Sequence, residues 1–339
     1  MLPATPAPDG IPGGPGVPEA HKLLQRYADN PSAFLALNER TEHFRAAGPD
    51  GFVAYRASGR HLLQFGGPFA HPAERAALLA AFRAHAARSR KRVIAVQLQS
   101  EDARLYAENG FTVNRLGSSY AIRLADFTLR GKPFVRLRNK ISRARRSGLV
   151  VAEADPFAVD AELTAIDRDW LRGKGRFTKE LAFLVGERLG EAAPARRLFV
   201  GRIEGAAVGY ISYSPVYGTR PGWLHDLTRR RREAPPGVME AINATAIEVF
   251  SGEGAPWLHL GFTPFVGLDS EPEPPGAGAT VTRIVRFLAA HGERVYPSRT
   301  QLAYKEKWAP HVVLPEYLAF EGRPSLGAIV RLMRVANAI

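Results

Sequence analysis

"DLTRRRREAPPGVMEAINATAI", residues 226–247, is the most informative stretch of this sequence. An apolar segment ends in an acid, four consecutive arginines follow, and Pro-Pro-Gly precedes a segment with the periodicity of a helix. A strand that leads through a turn into a helix is typical of an α/β fold. Backbone amides at such helix starts often hold phosphates, but Pro235 and Pro236 have no N–H to donate. The stretch therefore predicts that arginine side chains, rather than main-chain amides, hold an anionic partner.

The rest of the chain repeats this strand and helix pattern. Strand and helix signals follow in the order β-β-α-β-α-β up to residue 127, and a second β-β-α-β arrangement follows residue 134. We therefore predict two α/β halves, each with a mixed central sheet flanked by helices. The predicted parts are a disordered Pro/Gly-rich tail over 1–18, a first half over 19–130, and a second, catalytic half over 131–339 with a basic helix at 134–147.

The amino-acid composition limits the classes of molecule that this chain is expected to bind. The 339 residues are 45% hydrophobic, which supports folded cores, and the formal net charge is +13, which favours a polyanionic partner. The absence of cysteine excludes disulfides and thiolate metal sites and fits a reducing cytoplasm. Neither a spaced set of metal ligands nor a run of 18 apolar residues occurs in the sequence. We expect a cytoplasmic protein without a bound metal.

The basic helix contains eight basic residues and no acid between Arg130 and Arg146. Its apolar residues recur at helical spacing, so one face packs on the fold and both edges carry positive charge. This pattern favours a track for an RNA phosphate backbone, and an ordinary solvated face is the alternative. The predicted RNA-binding residues are Arg136, Arg138, Lys140, Arg143, Arg145 and Arg146 on the helix, with Arg230 and Arg231 after the strand.

Three stretches, two of them already described, make the sequence resemble a known family. "FVRLRNKISRARRSGL", "HDLTRRRREAPPGVMEAI" and "LAYKEKWAP" are similar to the C-terminal catalytic domain of the phosphatidylglycerol lysyltransferase family, and the resemblance extends over roughly 30–320. It implies tandem GNAT-type acyltransferase folds that take an aminoacyl group from charged tRNA. Aminoacyl-tRNA would be the co-substrate, and no other cofactor is implied.

The resemblance also assigns candidate site residues. The family motifs fall on Asp226, Arg229 and Lys305 as catalytic residues, with Glu293 as the alternative base. We expect Asp226 to bind the α-ammonium group rather than act as a base, because neighbouring arginines should lower its pKa. The implied substrate-binding residues are Lys307, Tyr296 and Gly237.

Departures from the family pattern bear on the acceptor. Ser118 and Ser119 stand where the family has two glutamates, and Glu316 stands where it has an arginine. The lost cation disfavours an anionic phospholipid, so we expect transfer to a small amine, hydroxylamine or hydroxyl acceptor, as in the valanimycin-type members that serve antibiotic biosynthesis. The alternatives are a peripheral aminoacyl-phosphatidylglycerol synthase, an acyl-CoA-dependent N-acyltransferase, and a non-catalytic RNA-binding module. The basic amphipathic segment 325–339 is expected to pack on its own domain, with weak contact to an anionic membrane surface as the alternative.

Overall fold

The computed structural model describes residues 14–174, 183–270, 272–291, 297–324 and 327. Its strands form one 11-stranded sheet. The strands are β1 (Glu42–Phe44), β2 (Gly51–Ser58), β3 (His61–Ala70), β4 (Arg92–Leu98), β5 (Phe111–Arg123), β6 (Val150–Ala154), β7 (Arg197–Ile203), β8 (Ala206–Val216), β9 (Gly222–Arg230), β10 (Trp257–Pro264) and β11 (Val312–Glu321).

Helices cover both faces of this sheet, which confirms the predicted α/β class. The α-helices are α1 (Val17–Tyr27), α2 (Arg75–Arg88), α3 (Ser100–Glu108), α4 (Val135–Arg146), α5 (Asp160–Lys174), α6 (Val238–Gly252), α7 (Ala279–His291) and α8 (Ser298–Glu306). The predicted basic helix is α4, and its apolar stripe Leu137, Ile141 and Ala144 is buried as expected.

The strand order is β1-β2-β3-β4-β11-β5-β10-β9-β8-β7-β6. Neighbouring strands are antiparallel except for β3 with β4 and β9 with β10, which are parallel. A helix connects each parallel pair, α2 in the first half and α6 in the second, as a parallel crossover requires. The two halves therefore each contain one β-α-β unit.

The centre of the sheet joins the two halves. β11, from the carboxyl end of the described chain, lies between β4 and β5, while β5 pairs with both β11 and β10. The halves thus share one continuous sheet, and the division near residue 130 stays an interpretation of the sequence.

Helix α6 shows how tightly the second half is packed. It is buried on most of its surface because it lies between the sheet and α4. Gly237, just before α6, has a φ of +98°, and a Cβ there would lie 2.1 Å from the carbonyl oxygen of Lys140. A glycine at this position therefore lets α4 approach the start of α6.

Two further findings bear on the sequence predictions. Among the described residues, none of the helices is both long and apolar enough to cross a bilayer. The predicted amphipathic segment 325–339 lies outside the described residues, apart from Gly327.

Candidate active site

The parallel strands β9 and β10 pair over only three residues and then separate. Gly222–Leu224 pair with Trp257–His259, and the register of β10 shifts between His259 and Gly261. Gly261 has a φ of +76°, a conformation that strains residues with a Cβ. The gap beyond Leu224 and His259, which we name the C-cleft, is a break in the sheet at the carboxyl ends of two parallel strands, where α/β proteins commonly bind ligands.

Lys305, on α8, fills the C-cleft from the β10 side. Its Nζ donates hydrogen bonds to the carbonyl oxygens of Gly261 at 2.6 Å and Phe262 at 2.9 Å. Burial lowers the pKa of Lys305 to about 7, although the negative charge of Glu316 opposes this shift. Two of the three ammonium protons are therefore engaged by main-chain carbonyls, and one is left for another acceptor.

Asp226 lies on the β9 side of the C-cleft, at a bulge in the pairing of β8 with β9. Its side chain is fully buried, and one carboxylate oxygen is 3.7 Å from Nε of Arg196. A Cβ on Gly186 would lie 2.4 Å from the carboxylate carbon, so the segment that contains Gly186 covers this acid.

The pKa of Asp226 is raised, whereas the sequence predicted that it would be lowered. Burial raises the pKa of Asp226 to about 6, and the opposing effects of Arg196, Ser214 and Ser212 are smaller. The arginines that follow Asp226 in the sequence were expected to lower this pKa, but Asp226 pairs with Arg196, which precedes β7. A carboxyl group with a pKa near 6 is better matched to proton transfer at neutral pH than one with a lowered pKa.

Glu316 is the acid that sequence reasoning missed. It lies on β11 with no exposed surface, and neither carboxylate oxygen has a hydrogen-bond partner of ordinary geometry. Burial raises the pKa of Glu316 to about 7, while nearby Ser119, Lys305 and Gln99 act in the opposite direction. In the sequence, Glu316 was notable only because the family has an arginine at this position. The structure shows that Glu316 is a buried acid that faces Lys305.

The arginines that follow Asp226 contact the protein itself. Arg229 is buried, and its guanidinium carbon lies 4.0 Å from the centre of the Trp170 ring. Arg230 donates to the carbonyl of Ala234 at 3.3 Å, and Nε of Arg231 donates to the carbonyl of Ala207 at 2.8 Å. These side chains hold the carboxyl end of β9 in place. They therefore have a structural role whether or not they also bind RNA.

An acid occupies the first turn of α6. Glu240 is buried, and its Oε1 is 3.3 Å from Nζ of Lys140 and 3.2 Å from Nζ of Lys307. Burial alone would raise the pKa of Glu240, but the two lysines outweigh it and the pKa is lowered. The end of α6 that would attract an external anion therefore already carries a carboxylate.

The basic residues of α4 divide into paired and unpaired groups. Lys140 and Arg145 face acids of α6, with Arg145 3.4 Å from Glu248, and Arg138 donates to the main chain at Leu129 and Gly131. The exposed cations of α4 without an ion pair among the described residues are Arg136, Arg143 and Arg146.

Two candidate residues, Glu293 and Tyr296, lie outside the described residues. In the described ranges, no group of three or more His, Asp or Glu side chains is arranged to hold a metal ion.

The family model named "Phosphatidylglycerol lysyltransferase, C-terminal" matches residues 21–320. The chain belongs to this family. The match covers both halves of the sheet, including the C-cleft and β11.

Curated relatives carry related names. The phosphatidylglycerol lysyltransferase of Bacillus subtilis is 28% identical over 248 residues, which are 71% of this chain and 28% of that protein. A lysylphosphatidylglycerol biosynthesis bifunctional protein of Mycobacterium marinum is 30% identical over 228 residues, 66% of this chain and 20% of that protein. The chain therefore spans between a fifth and just over a quarter of the length of these family relatives.

Solved structures from the family share the fold. L-PGS from Bacillus licheniformis has a TM-score of 0.78 at 22% identity and covers 96% of this chain and 97% of that one. The C-terminal domain, DUF2156, from Agrobacterium fabrum has a TM-score of 0.77 at 22% identity and covers 94% and 95%. At this identity the likeness establishes the fold. The names of the curated relatives favour the lipid-acceptor alternative over the small-molecule acceptor that the sequence analysis preferred.

Proposed function

We propose that this chain transfers an aminoacyl group from aminoacyl-tRNA to a hydroxyl of phosphatidylglycerol. The family supplies the class of reaction, and the described side chains support the type of donor. Aminoacyl-tRNA would be the co-substrate, and no further cofactor is needed because its ester is already activated. The cytoplasmic location expected from the sequence stays a prediction.

The carboxylate of Glu240 at the start of α6 is the observation that favours aminoacyl-tRNA over an acyl-CoA donor. A CoA-dependent enzyme would hold a pyrophosphate at such a helix start through backbone amides and the helix dipole. Here Glu240 places its own carboxylate there, paired with Lys140 and Lys307. A pyrophosphate would meet like charge at that position, which disfavours a CoA donor.

The exposed cations of α4 offer a separate place for a polyanion. Arg136, Arg143 and Arg146 lie on one helix without internal ion pairs among the described residues, so they can bind phosphates without breaking a bond of the fold. Guanidinium groups suit phosphate because they donate two parallel hydrogen bonds. This arrangement supports an RNA carrier.

The chemistry follows from the donor ester. The acceptor oxygen forms a bond to the carbonyl carbon, the bond from that carbon to the ribose oxygen breaks, and the acceptor's proton passes to the ribose oxygen. Asp226 would hold the α-ammonium group or relay this proton, and the remaining N–H of Lys305 would stabilise the negative carbonyl oxygen. Access to Asp226 requires the segment around Gly186 to move aside.

The test is reconstitution with purified protein, aminoacyl-tRNA labelled on the amino acid, and vesicles with or without phosphatidylglycerol. We expect label in the organic phase only with phosphatidylglycerol, and its loss after ribonuclease treatment. Acetyl-CoA in place of the charged tRNA serves as the donor control.

Three outcomes would contradict the proposal. Label that passes to a water-soluble amine added beside the vesicles, and not to the lipid, would restore the small-acceptor interpretation. Transfer from acetyl-CoA would overturn the donor assignment. RNA binding without any transfer, unchanged in Asp226→Asn, would indicate a non-catalytic module.

A further inference from the structure

The first half contains a second gap between parallel strands. β3 and β4 pair from His61–Phe65 with Arg92–Val96 and then separate at Gly66 and Gln97, both with positive φ. A cavity of about 200 Å³ opens there, which we name the N-cleft. This volume holds roughly six water molecules, enough for a small polar head group. Its walls come from α1, the β3 end, the start of α3, β11 and the loop between β8 and β9.

The loop between β8 and β9 carries an arginine from the second half into this cavity. Oδ1 of Asp29 accepts hydrogen bonds from N and Oγ1 of Thr219, at 2.6 and 2.7 Å. Nε2 of the buried His259 donates to the carbonyl oxygen of Arg220 at 2.9 Å. Gly218 lies so close to Asp29 that a Cβ would be 2.4 Å from its Oδ1. The main chain at Arg220 is therefore held on both sides.

The side chain of Arg220 lacks a polar partner among the described residues. It is half-buried, lines the cavity, and makes neither a hydrogen bond nor an ion pair through its guanidinium group to any described residue. A half-buried guanidinium without a partner is costly, since charged groups are normally paired when they leave water. Its placement points to an external anion.

A second arginine and an acid complete the cavity. Arg75 donates through Nε to Ala70 and through Nη1 to the exposed Glu101, at 3.3 and 3.4 Å, which leaves Nη2 available. Asp102 is 8% exposed, and its Oδ2 accepts from the main-chain N of Gln99 at 3.3 Å. Two guanidinium groups and three carboxylates, those of Asp29, Glu101 and Asp102, line the cavity. Asp29 and Glu101 already accept hydrogen bonds from Thr219 and Arg75, whereas Arg220, Nη2 of Arg75 and Asp102 remain for a ligand that carries both a phosphate and hydroxyl groups.

The inner wall of the N-cleft adjoins the C-cleft. Gln99 and Leu314 line the cavity, and the Gln99 side chain lies beside Glu316. Glu316 in turn faces Lys305, which is hydrogen-bonded to the β10 bulge. A hydroxyl presented at this wall would lie on the side of the cavity nearest to the candidate catalytic groups.

We propose that the N-cleft binds a glycerol phosphodiester, with Arg220 and Arg75 on the phosphate and Asp102 accepting a hydrogen bond from a glycerol hydroxyl. The inference rests on the proposed function only for the source of this group, the head group of the acceptor lipid. The soluble glycerophosphoglycerol has the same chemistry, so the site can be tested without catalysis.

The experiment measures calorimetric binding of glycerophosphoglycerol to the full chain and to Arg220→Ala. The matched control is Arg104→Ala, which removes an exposed arginine of α3 with the same change in net charge. We expect the Arg220→Ala affinity to fall about tenfold or more, as for loss of one charge-assisted contact, while Arg104→Ala stays unchanged. Arg220→Lys should restore part of the affinity because it keeps the charge without the planar fork.

A kinetic arm separates the site from the proposed function. With phosphatidylglycerol vesicles and charged tRNA, Arg220→Ala should raise KM for the lipid and leave KM for the tRNA and kcat unchanged. Equal binding and equal lipid KM in wild type and Arg220→Ala would overturn the site while the transferase activity stands. Arg220-dependent binding without any aminoacyl transfer would support the site and sink the proposed function. No binding by the wild-type chain at millimolar ligand would also overturn the inference.

Discussion

The C-cleft and the N-cleft occupy corresponding places in the two halves, at the carboxyl ends of one parallel strand pair each. In both, a polar side chain bonds to a carbonyl that the separating strands expose. In the C-cleft this is the ammonium of Lys305 on Gly261 and Phe262, and in the N-cleft it is the neutral amide of Asn30 on Gln97, at 2.6 Å. A charged side chain therefore satisfies the exposed carbonyls in the C-cleft, whereas a neutral side chain does so in the N-cleft.

Each cleft also contains an aspartate beneath a glycine. A Cβ on Gly186 would lie 2.4 Å from the carboxylate carbon of Asp226, and one on Gly67 would lie 2.0 Å from Oδ1 of Asp102. Burial raises the pKa of both acids to about 6. They differ in surroundings, because Asp226 is sealed beside Arg196 whereas Asp102 borders an open cavity. We infer that the C-cleft contains the catalytic charged groups and that the N-cleft binds a ligand.

The largest expected difference is between Asp226→Asn and Asp102→Asn. Removing the charge of Asp226 should lower kcat on the order of 100-fold or more, since it removes either the ammonium contact or the proton relay. Asp102→Asn should leave kcat within a few-fold and act on the KM of the lipid acceptor. Steady-state kinetics at saturating tRNA measures both. Equal losses of kcat in the two variants would contradict the division of roles.

The RNA-binding prediction concerns the second half alone. Replacing Arg136, Arg143 and Arg146 together with serine should weaken tRNA binding and reduce the slope of log affinity against log salt by about three. The control replaces three exposed arginines of the first half, Arg60, Arg92 and Arg104. Filter binding over a salt series measures the slope. A slope that falls equally in both triple variants would indicate a diffuse charge effect rather than a track on α4.

A third prediction uses pH to compare the two aspartates. Because the folded-state pKa of Asp226, about 6, lies above its ordinary value of 3.8, the folded protein binds this proton more tightly than the unfolded chain. The resulting stabilisation is present at low pH and is lost as pH rises from about 4 to about 6, by about 3 kcal/mol at most. Asp226→Asn should remove that part of the slope.

The measurement is urea unfolding at closely spaced pH values. Asp102→Asn should remove a similar part of the slope, because burial raises its pKa to a similar value. A wild-type stability that increases between pH 4 and 6, with no change in either variant, would show that neither acid is buried in solution as in this structure.

Local patterns predicted much of the fold. The helical spacing of α4 is a property of a few neighbouring residues, and the structure confirms it. No strand was predicted at β11, and Pro315 in the middle of "VVLPEYLAFE" is unusual in a central strand. The structure accommodates Pro315 next to a register shift between Glu316 and Tyr317.

The C-cleft could be predicted only in part for a related reason. Motif resemblance located Asp226 and Lys305, but the charged groups that partly offset the effect of burial on their pKa values come from distant segments. Arg196 precedes β7, and Glu316 faces Lys305 because β11 inserts between β4 and β5. No local signal in "LPEYL" reports that insertion, so only the sheet order reveals Glu316 as a buried acid.

The smallest expected effect comes from the two covering glycines. Gly186→Ala places a Cβ against the sealed carboxylate of Asp226, which cannot move without disturbing Arg196, so we expect a loss of about 1–3 kcal/mol in unfolding free energy. Gly67→Ala should cost less, because Asp102 borders the cavity and can turn into it. Urea midpoints of the two variants give the comparison. A larger loss for Gly67→Ala would mean that the N-cleft is the more tightly packed of the two, which would remove the basis for treating it as the ligand-holding cleft.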